Sequence, residues 1–376
     1  MVLTYYHPHW TGLTAYAQRL AEGLAERGHQ VTVLTAQHRP DLPHRDRHNG
    51  VQIVRLGAVG RLSRGVIMPS FPWVAARLVR EHDVVQLHTP LLEAPLVAWL
   101  ARRAGKGVVF TNHGDLVMPA GLFDQFVQLT VRGLMRQALR WSGAVTVHSR
   151  DYGEHSDFLR PFLHKTAYIY PPIEIPRPIP EQVVALRREL GLVGRPVVGF
   201  AGRFVEEKGF DYLLQAIPLV VRALPGSKFV YAGERNVVYE RFYERWRHLV
   251  DENAEHLVFM GLVLDRQRLA NFYAMCDAFA LPSRTDCFPS VQIEAMLCGT
   301  PPVTTDIPGA REAVRVTGMG RLVRPCDPEA LAEGLIEVLK DPARYTRSYE
   351  EVRRVFDTGR TVAEYEAMFQ RLAPQG

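Results

Sequence analysis

Residues 170–180 read YPPIEIPRPIP. Prolines at 171, 172, 176, 178 and 180 remove five backbone donors from eleven positions. Neither a helix interior nor a central strand tolerates that, so the stretch reads as an extended linker. On both sides of it the sequence alternates between short strand-like runs and amphipathic stretches. Upstream lie VLTYY, QVTVLT, VQIVRL, DVVQLH, GVVFTNH and GAVTVHS; downstream lie PVVGFAG, KFVYAG, LVFMG, DAFALPS and PPVTTD. Between the first two comes LTAYAQRLAEGLAERG, in which Leu13, Ala17, Leu20 and Leu24 recur at helical spacing and Gly28 is placed to end the helix. A strand, a helix and a second strand in this order make a parallel β-α-β unit. The linker therefore divides the chain into two α/β domains, 1–170 and 171–355. A final helical stretch, TVAEYEAMFQRL, falls in residues 356–376 beyond the second set of strands.

The bulk numbers agree with that division. A chain of 376 residues is long for one core and suits two. Hydrophobic residues at 47% and charged residues at 23% describe a globular protein, not a disordered or fibrous one. The start shows no basic segment followed by an apolar one, so no secretory signal is expected. The longest apolar stretch, APLVAWLA, is too short to span a bilayer. Cys276, Cys287, Cys298 and Cys326 form no Cys-x-x-Cys pair, and reduced thiols in the cytoplasm are the simplest reading. Charge is uneven. Residues 1–170 carry 19 Lys and Arg against 12 Asp and Glu, a net +7, whereas the remainder is net −2. A basic half suits an anionic acceptor or a membrane surface, and equally a merely soluble face.

Charged residues cluster where parallel sheets bind ligands, at the carboxyl ends of strands. In FAGRFVEEKGFDYLLQAI, Arg203 follows a buried run and Lys208-Gly209 leads into a helix. A planar fork beside a point charge suits a diphosphate, while Glu206 and Glu207 offer the blander role of salt-bridge partners. In PSRTDCFPSVQIEAMLCGTPP, the segment RTDCFP reads as a loop and SVQIEAMLCG as a helix ending at Gly299. The amides of Cys287, Phe288, Ser290 and Val291, in the turn that includes Pro289, would face an anion with the help of the helix dipole. A carboxylate would repel that anion. Asp286 and Glu294 therefore suit a neutral polyol, Glu294 a ribose and Asp286 a sugar on the loop side. The competing reading makes Asp286 a turn cap and Glu294 a surface residue. His113 closes one strand-like run, a place for a structural or a functional histidine, and His88 closes another as a structural one. The run FDQFVQLTVRGLMRQALRWSG sets Arg132, Arg136 and Arg140 in a row opposite an apolar face of Phe123, Val127, Val131 and Leu134. That pattern suits a membrane-surface helix or an ordinary amphipathic one.

The second half resembles the family 4 type of retaining glycosyltransferases, also called glycosyl transferases group 1. The resemblance is carried by AGRFVEEKGFDYLLQAI, FVYAGE, FMGLV, FYAMCDAFALPS and DCFPSVQIEAMLCGTPPVTTDIPGARE. The first half is similar more loosely, through PHWTGLTAYAQRLAEGLAERGHQVTVLT and VVFTNHGD. The resemblance implies the GT-B fold: two Rossmann-like domains with parallel sheets facing across a cleft, and a last helix that crosses back to the first. It implies that Arg203 and Lys208 hold the donor diphosphate, that Glu294 binds the ribose and that Asp286 contacts the donor sugar. It gives His113 a place near the transferred sugar and makes Gly12 part of an N-terminal glycine loop. The pattern departs from the family at Asp286, where Glu is usual, at Cys287-Phe288-Pro289-Ser290, where a glycine is usual, and at Thr11, beside the single glycine Gly12.

The expected activity is sugar transfer with retention from a UDP- or GDP-linked donor to a hydroxyl of a lipid-linked or saccharide acceptor. No Asp-x-Asp triplet occurs, so neither a metal nor another cofactor is expected. A peripheral membrane contact through the N-terminal domain fits this reading, and nucleic acid does not enter it. Two rivals remain: a sugar-nucleotide epimerase or hydrolase on the same fold, and a non-catalytic nucleotide-sugar-binding subunit.

Overall fold

The computed structural model describes residues 1–376 except 63, 64, 116–121, 236, 238, 239, 375 and 376, and gives the backbone alone at 61, 62, 122–124 and 126. Two compact units result: Met1–Pro172 together with Asp357–Gly376, and Ile173–Phe356.

In the first unit, β1 (Thr32–Ala36) pairs in parallel with β3 (Val51–Leu56), and β2 (Arg45–His48) runs antiparallel on the outer edge of β3. A short hairpin joins β4 (Gly60–Leu62) to β5 (Gly65–Ile67). Then β6 (Val84–Thr89), β7 (Gly107–Asn112), β8 (Ala144–Val147) and β9 (Thr166–Tyr168) follow in parallel order. The expected strand VLTYY is reduced to a bridge. Val2 pairs with Leu34 on one side and Leu87 on the other, so the amino-terminal segment joins β1 to β6. Its ladder reaches Thr4, whose carbonyl takes the Ala36 amide and the Thr35 hydroxyl.

The opening helix, Gly12–Glu26, starts at Thr11, which exchanges capping hydrogen bonds with Thr14. It buries Ala17, Leu20, Ala21 and Leu24 against β1 and β3. The last helix, Thr358–Leu372, packs on the same core through Val362, Tyr365 and Met368. Gly23 makes that approach close, because a Cβ there would stand 2.6 Å from a methyl of Val362. Each such fully buried aliphatic or aromatic side chain contributes roughly 1.5–3 kcal/mol. The basic helix Leu122–Trp141 differs from expectation. Its buried stripe is Met135, Ala138 and Leu139, while Leu134 is 38% exposed and Val127 and Val131 are half-buried. The Phe123 side chain lies outside the described residues. Arg132 sits 5.9 Å over the ring of Phe158.

The second unit holds six parallel strands: β10 (Val197–Ala201), β11 (Lys228–Ala232), β12 (Leu257–Gly261), β13 (Ala278–Leu281), β14 (Pro302–Thr305) and β15 (Arg321–Val323). Their order across the sheet is β12-β11-β10-β13-β14-β15. Growth runs one way from β10 and then restarts at β13 on its other side. The crevice outside the carboxyl ends of β10 and β13 is therefore the topological switch point, where open α/β sheets bind ligands. Apolar clusters cover both faces of this sheet, which explains why β10 and β13 are buried at every residue and read as continuous apolar runs. Among the described residues, no helix is long and apolar enough to cross a membrane.

Candidate active site

The loops that leave β10 and β13 meet at the switch point. After β10 the chain passes Arg203 and a short turn, Glu206–Lys208, before the helix Phe210–Ala223. After β13 it passes Pro282 to Pro289 before the helix Ser290–Leu297. Gly209 permits the contact. It sits at φ 65°, and a Cβ would stand 2.0 Å from the Pro282 carbonyl oxygen. Side chains then lock the two loops together. Arg284 donates to both oxygens of Asp211, at 2.8 and 2.6 Å, and to the Glu206 carbonyl at 2.7 Å, while its own amide donates to the Glu207 carbonyl. Asp211 is 1% exposed, and the guanidinium lies 4.2 Å over the ring of Tyr212. A buried bidentate pair holds its geometry well, and removing one partner strands the other charge.

Arg284→Ala is accordingly expected to destabilise the second unit by about 3–5 kcal/mol, with Arg284→Lys in between because it keeps the charge but loses the fork. Urea unfolding of the two variants measures this. Equal midpoints for wild type and Arg284→Ala would show that the pair does not fasten the loops.

The clamp sets Lys208 opposite Asp286. The ammonium donates to Asp286 Oδ2 at 2.5 Å, with the two side chains 22% and 11% exposed. Burial disfavours the ammonium charge, but the carboxylates of Asp286 and Glu207 outweigh it and hold Lys208 above its ordinary pKa. Sequence reasoning gave these two residues different parts of a ligand; the fold pairs them with each other. Arg203 remains on the rim, half-exposed, and donates to Glu207 at 3.3 Å. Its blander partner is thus the observed one.

The loop then descends into the core. Cys287, Phe288 and Pro289 are buried, and Ser290 and Val291 are half-buried. The backbone of Asp286 bridges to Gly309, whose φ of 85° and close approach to the Cys287 carbonyl leave no room for a side chain. Helix Ser290–Leu297 has no acidic residue in its first turn and no side-chain cap at Pro289. No carboxylate of its own first turn therefore competes for the leading amides. Glu294, one turn further, is 7% exposed and accepts a hydrogen bond from the Tyr273 hydroxyl at 3.1 Å. It is not a surface residue. Burial, then the Glu294 charge, drives the Tyr273 hydroxyl well above its ordinary pKa, so it stays a donor.

In the first unit, Gly12 is the exposed first residue of its helix, and a Cβ there would meet nothing within 4 Å. His113 follows β7 and is half-buried. Its Nε2 lies 2.9 Å from His88 Nδ1, and its Nδ1 lies 3.2 Å from His148 Nε2. Burial pushes His88 down to about 3 and His148 down to about 4. Burial and the two neighbouring imidazoles push His113 well below the ordinary value.

The profile of the family described as "Glycosyl transferases group 1" matches residues 195–341, and that of the "Glycosyl transferase 4-like domain" matches residues 11–170. Together they take in the strands of both sheets. The chain belongs to the group 1 glycosyltransferases.

This glycosyltransferase is 28% identical over 305 residues to a GDP-mannose-dependent monoacylated alpha-(1-6)-phosphatidylinositol monomannoside mannosyltransferase of Corynebacterium glutamicum, covering 76% of this chain and 75% of that one. It is 29% identical to the phosphatidyl-myo-inositol mannosyltransferase of Mycobacterium tuberculosis, covering 97% and 94%. Its fold matches Anabaena HepE in complex with UDP-glucose at a TM-score of 0.79, with 19% identity and 99% of each chain covered. The architecture is GT-B, two parallel-sheet α/β domains. Arg203, Lys208, Asp286 and Glu294 fall in the group 1 segment, and Gly12 and His113 in the other. Sequence reasoning missed Asp211, Arg284, Tyr273 and His148. A signal existed for one of them: Asp211 is an acid in the first turn of a mostly apolar helix.

Proposed function

We propose that this glycosyltransferase moves a sugar, with retention of configuration and without a metal, from a UDP- or GDP-linked donor to a hydroxyl of a lipid-linked or saccharide acceptor. The observation that carries the reading is the arrangement at the second unit's switch point. The loops that carry Arg203 and Lys208 on one side and Asp286 on the other meet there, joined by the Lys208–Asp286 pair; the helix that follows has no acidic residue in its first turn, and the buried carboxylate of Glu294 lies one turn in.

In this reading the helix amides and both cations bind the donor diphosphate, and Glu294, braced by Tyr273, accepts hydrogen bonds from the ribose. Asp286 is directed to the donor sugar while Lys208 fixes its carboxylate. Its shorter side chain, compared with the usual glutamate, tunes which sugar fits. The bond from the anomeric carbon to the phosphate oxygen breaks as the bond to the acceptor oxygen forms on the same face, and the acceptor's hydroxyl proton passes to the departing diphosphate oxygen. Negative charge grows on the leaving diphosphate, and Lys208, Arg203 and the amides stabilise it there. His113 acts on the transferred sugar in this reading, and Gly12 begins a loop for substrate. The names of the mannosyltransferases support a GDP-linked donor and an inositol lipid acceptor; the HepE complex supports a UDP-linked donor. The net +7 of residues 1–170 suits an anionic lipid headgroup, reached in the cytoplasm by peripheral contact with the membrane's inner face.

Thermal unfolding with UDP, GDP and ADP, each with and without EDTA, tests the donor site. A nucleoside diphosphate at a hundredfold its dissociation constant is expected to add about 2.7 kcal/mol, unchanged by EDTA and lost in Glu294→Ala. No shift with any of the three, or a shift that EDTA abolishes, would contradict the reading. Assay of GDP-mannose and UDP-glucose with phosphatidylinositol vesicles then separates transfer from donor hydrolysis or epimerisation.

A further inference from the structure

The first unit holds a cavity of about 250 Å³ outside the carboxyl ends of β6 and β7, between the helix Leu122–Trp141 and the segment that follows the helix Arg150–His155. Parallel sheets bind ligands at that edge. Thr89 and Asn112, the last residues of the two strands, line the cavity and are buried, and Met135 and Phe158 give it a buried apolar side. It is smaller than the pockets that take drug-sized ligands and suits one ring with its substituents.

Two opposite charges line this cavity without meeting. Asp115 is fixed beyond the end of β7: its amide donates to the Tyr152 hydroxyl at 2.7 Å, and the Ser156 hydroxyl donates to its Oδ2 at 2.7 Å. The Asn112 side-chain amide reaches its Oδ1 at 3.5 Å. Arg132 comes from the helix, half-buried, with its guanidinium 5.9 Å over the Phe158 ring and a buried Nε that has no hydrogen-bond partner. Among the described residues, Arg132 and Asp115 form no ion pair with each other or with any other group. The row Arg132, Arg136 and Arg140 is therefore not one solvated face: Arg140 is exposed, whereas Arg132 lines the cavity. A planar fork with no anion suits a phosphate, and a carboxylate that already accepts from a hydroxyl and an amide suits further hydroxyl donors. The carboxylate would repel a phosphate, which fixes the orientation of a ligand that carries both groups.

We propose that this cavity takes the acceptor as a phosphorylated polyol, with the phosphate on Arg132 and ring hydroxyls on Asp115 and Asn112. This rests on the reading above that the chain passes a sugar to an acceptor hydroxyl. Gly114, which also lines the cavity, is the chain neighbour of His113, the residue given to the transferred sugar. The phosphate has two sources, a lipid headgroup or a free ester, and the chemistry at Arg132 and Asp115 is the same for both.

Calorimetric titration of the full chain, with UDP and GDP present, tests the cavity against phosphates of inositol, glycerol and hexoses and against the same polyols without phosphate. Flotation with phosphatidylcholine vesicles that carry phosphatidylinositol or phosphatidylserine covers the lipid source. A polyol phosphate is expected to bind, free in solution or as the phosphatidylinositol headgroup, and the arm in which it binds names its source. Arg132→Gln and Asp115→Asn are each expected to weaken that binding about 10- to 100-fold. Arg132→Lys keeps the charge without the fork and is expected to fall between Arg132→Gln and wild type. The phosphate-free polyol is expected to bind more weakly and to be indifferent to Arg132→Gln. Thermal unfolding of each variant separates loss of the ligand from loss of the fold. Absence of binding in both arms would overturn the proposal. So would binding that both Arg132→Gln and Asp115→Asn leave unchanged, or equal capture by phosphatidylserine vesicles, which marks a general attraction to anionic lipid. If a polyol phosphate binds as described but receives no sugar from GDP-mannose or UDP-glucose, the cavity stands and its place in the transfer reaction fails. If a phosphate-free acceptor is glycosylated while no polyol phosphate binds, the cavity fails and the transfer reading stands.

Discussion

Lys208→Ala is expected to lower kcat/KM for the donor by about 10²–10³-fold, the usual cost of losing one donor aimed at developing charge. Most of the loss falls on kcat, since the charge on the leaving diphosphate is larger in the transition state than in the bound donor. The same substitution strands Asp286, which is 11% exposed and has Lys208 as its ion-pair partner. A fall in stability therefore accompanies the fall in rate. The double variant Lys208→Ala/Asp286→Ala separates the two effects. It is expected to regain stability relative to Lys208→Ala while remaining as slow or slower. A double variant that recovered activity along with stability would show that Lys208 matters for folding and not for the diphosphate.

The second large effect is on stability in acid. Unfolded histidines take up protons below their ordinary value of 6.5, whereas in the folded first unit His88 stays neutral to about 3 and His148 to about 4. His113 is likewise held well below its ordinary value. Between these limits the unfolded state binds more protons than the folded one. Stability is therefore complete above pH 6.5 and is lost progressively as pH falls towards 4. Three withheld protons give a slope of about 4 kcal/mol per pH unit in the middle of that window, against a domain stability of about 5–15 kcal/mol. The first unit is thus expected to unfold near pH 5 at room temperature. Urea titrations between pH 7.5 and 4 measure the slope, and His148→Gln is expected to reduce it by about a third, one of the three withheld protons. Equal slopes for the variant and wild type would mean that His148 titrates normally in the folded protein.

Much of this architecture was legible in the sequence because buried parallel strands advertise themselves. VVGFA, FVYA and AFAL are apolar throughout, since apolar clusters cover both faces of their sheet. The strands that escaped notice lack that signature. Arg45–His48 is a polar edge strand, half of it exposed, and Arg321–Val323 is three residues long. At the site, sequence spacing singled out Arg203, Lys208, Asp286 and Glu294, and the switch point gathers the loops that carry them. It could not reveal that Lys208 and Asp286 bond to each other, because 78 residues separate them and the distance is closed by the contact of Gly209 with the Pro282 carbonyl and by the Arg284 clamp. His88 and His148 were invisible as partners of His113 for a related reason. Their alignment depends on three strands ending at one level, which is a property of register and not of any one segment.

The central claim is that the donor diphosphate lies at the switch point of the second unit, on Lys208. A crystal structure with whichever of UDP and GDP binds more tightly tests it directly. The account predicts phosphate oxygens within about 3 Å of Lys208 Nζ and of the leading amides of the helix Ser290–Leu297, with a ribose hydroxyl on Glu294. A nucleotide bound elsewhere, with the ribose away from Glu294 and no phosphate near Lys208, would contradict it.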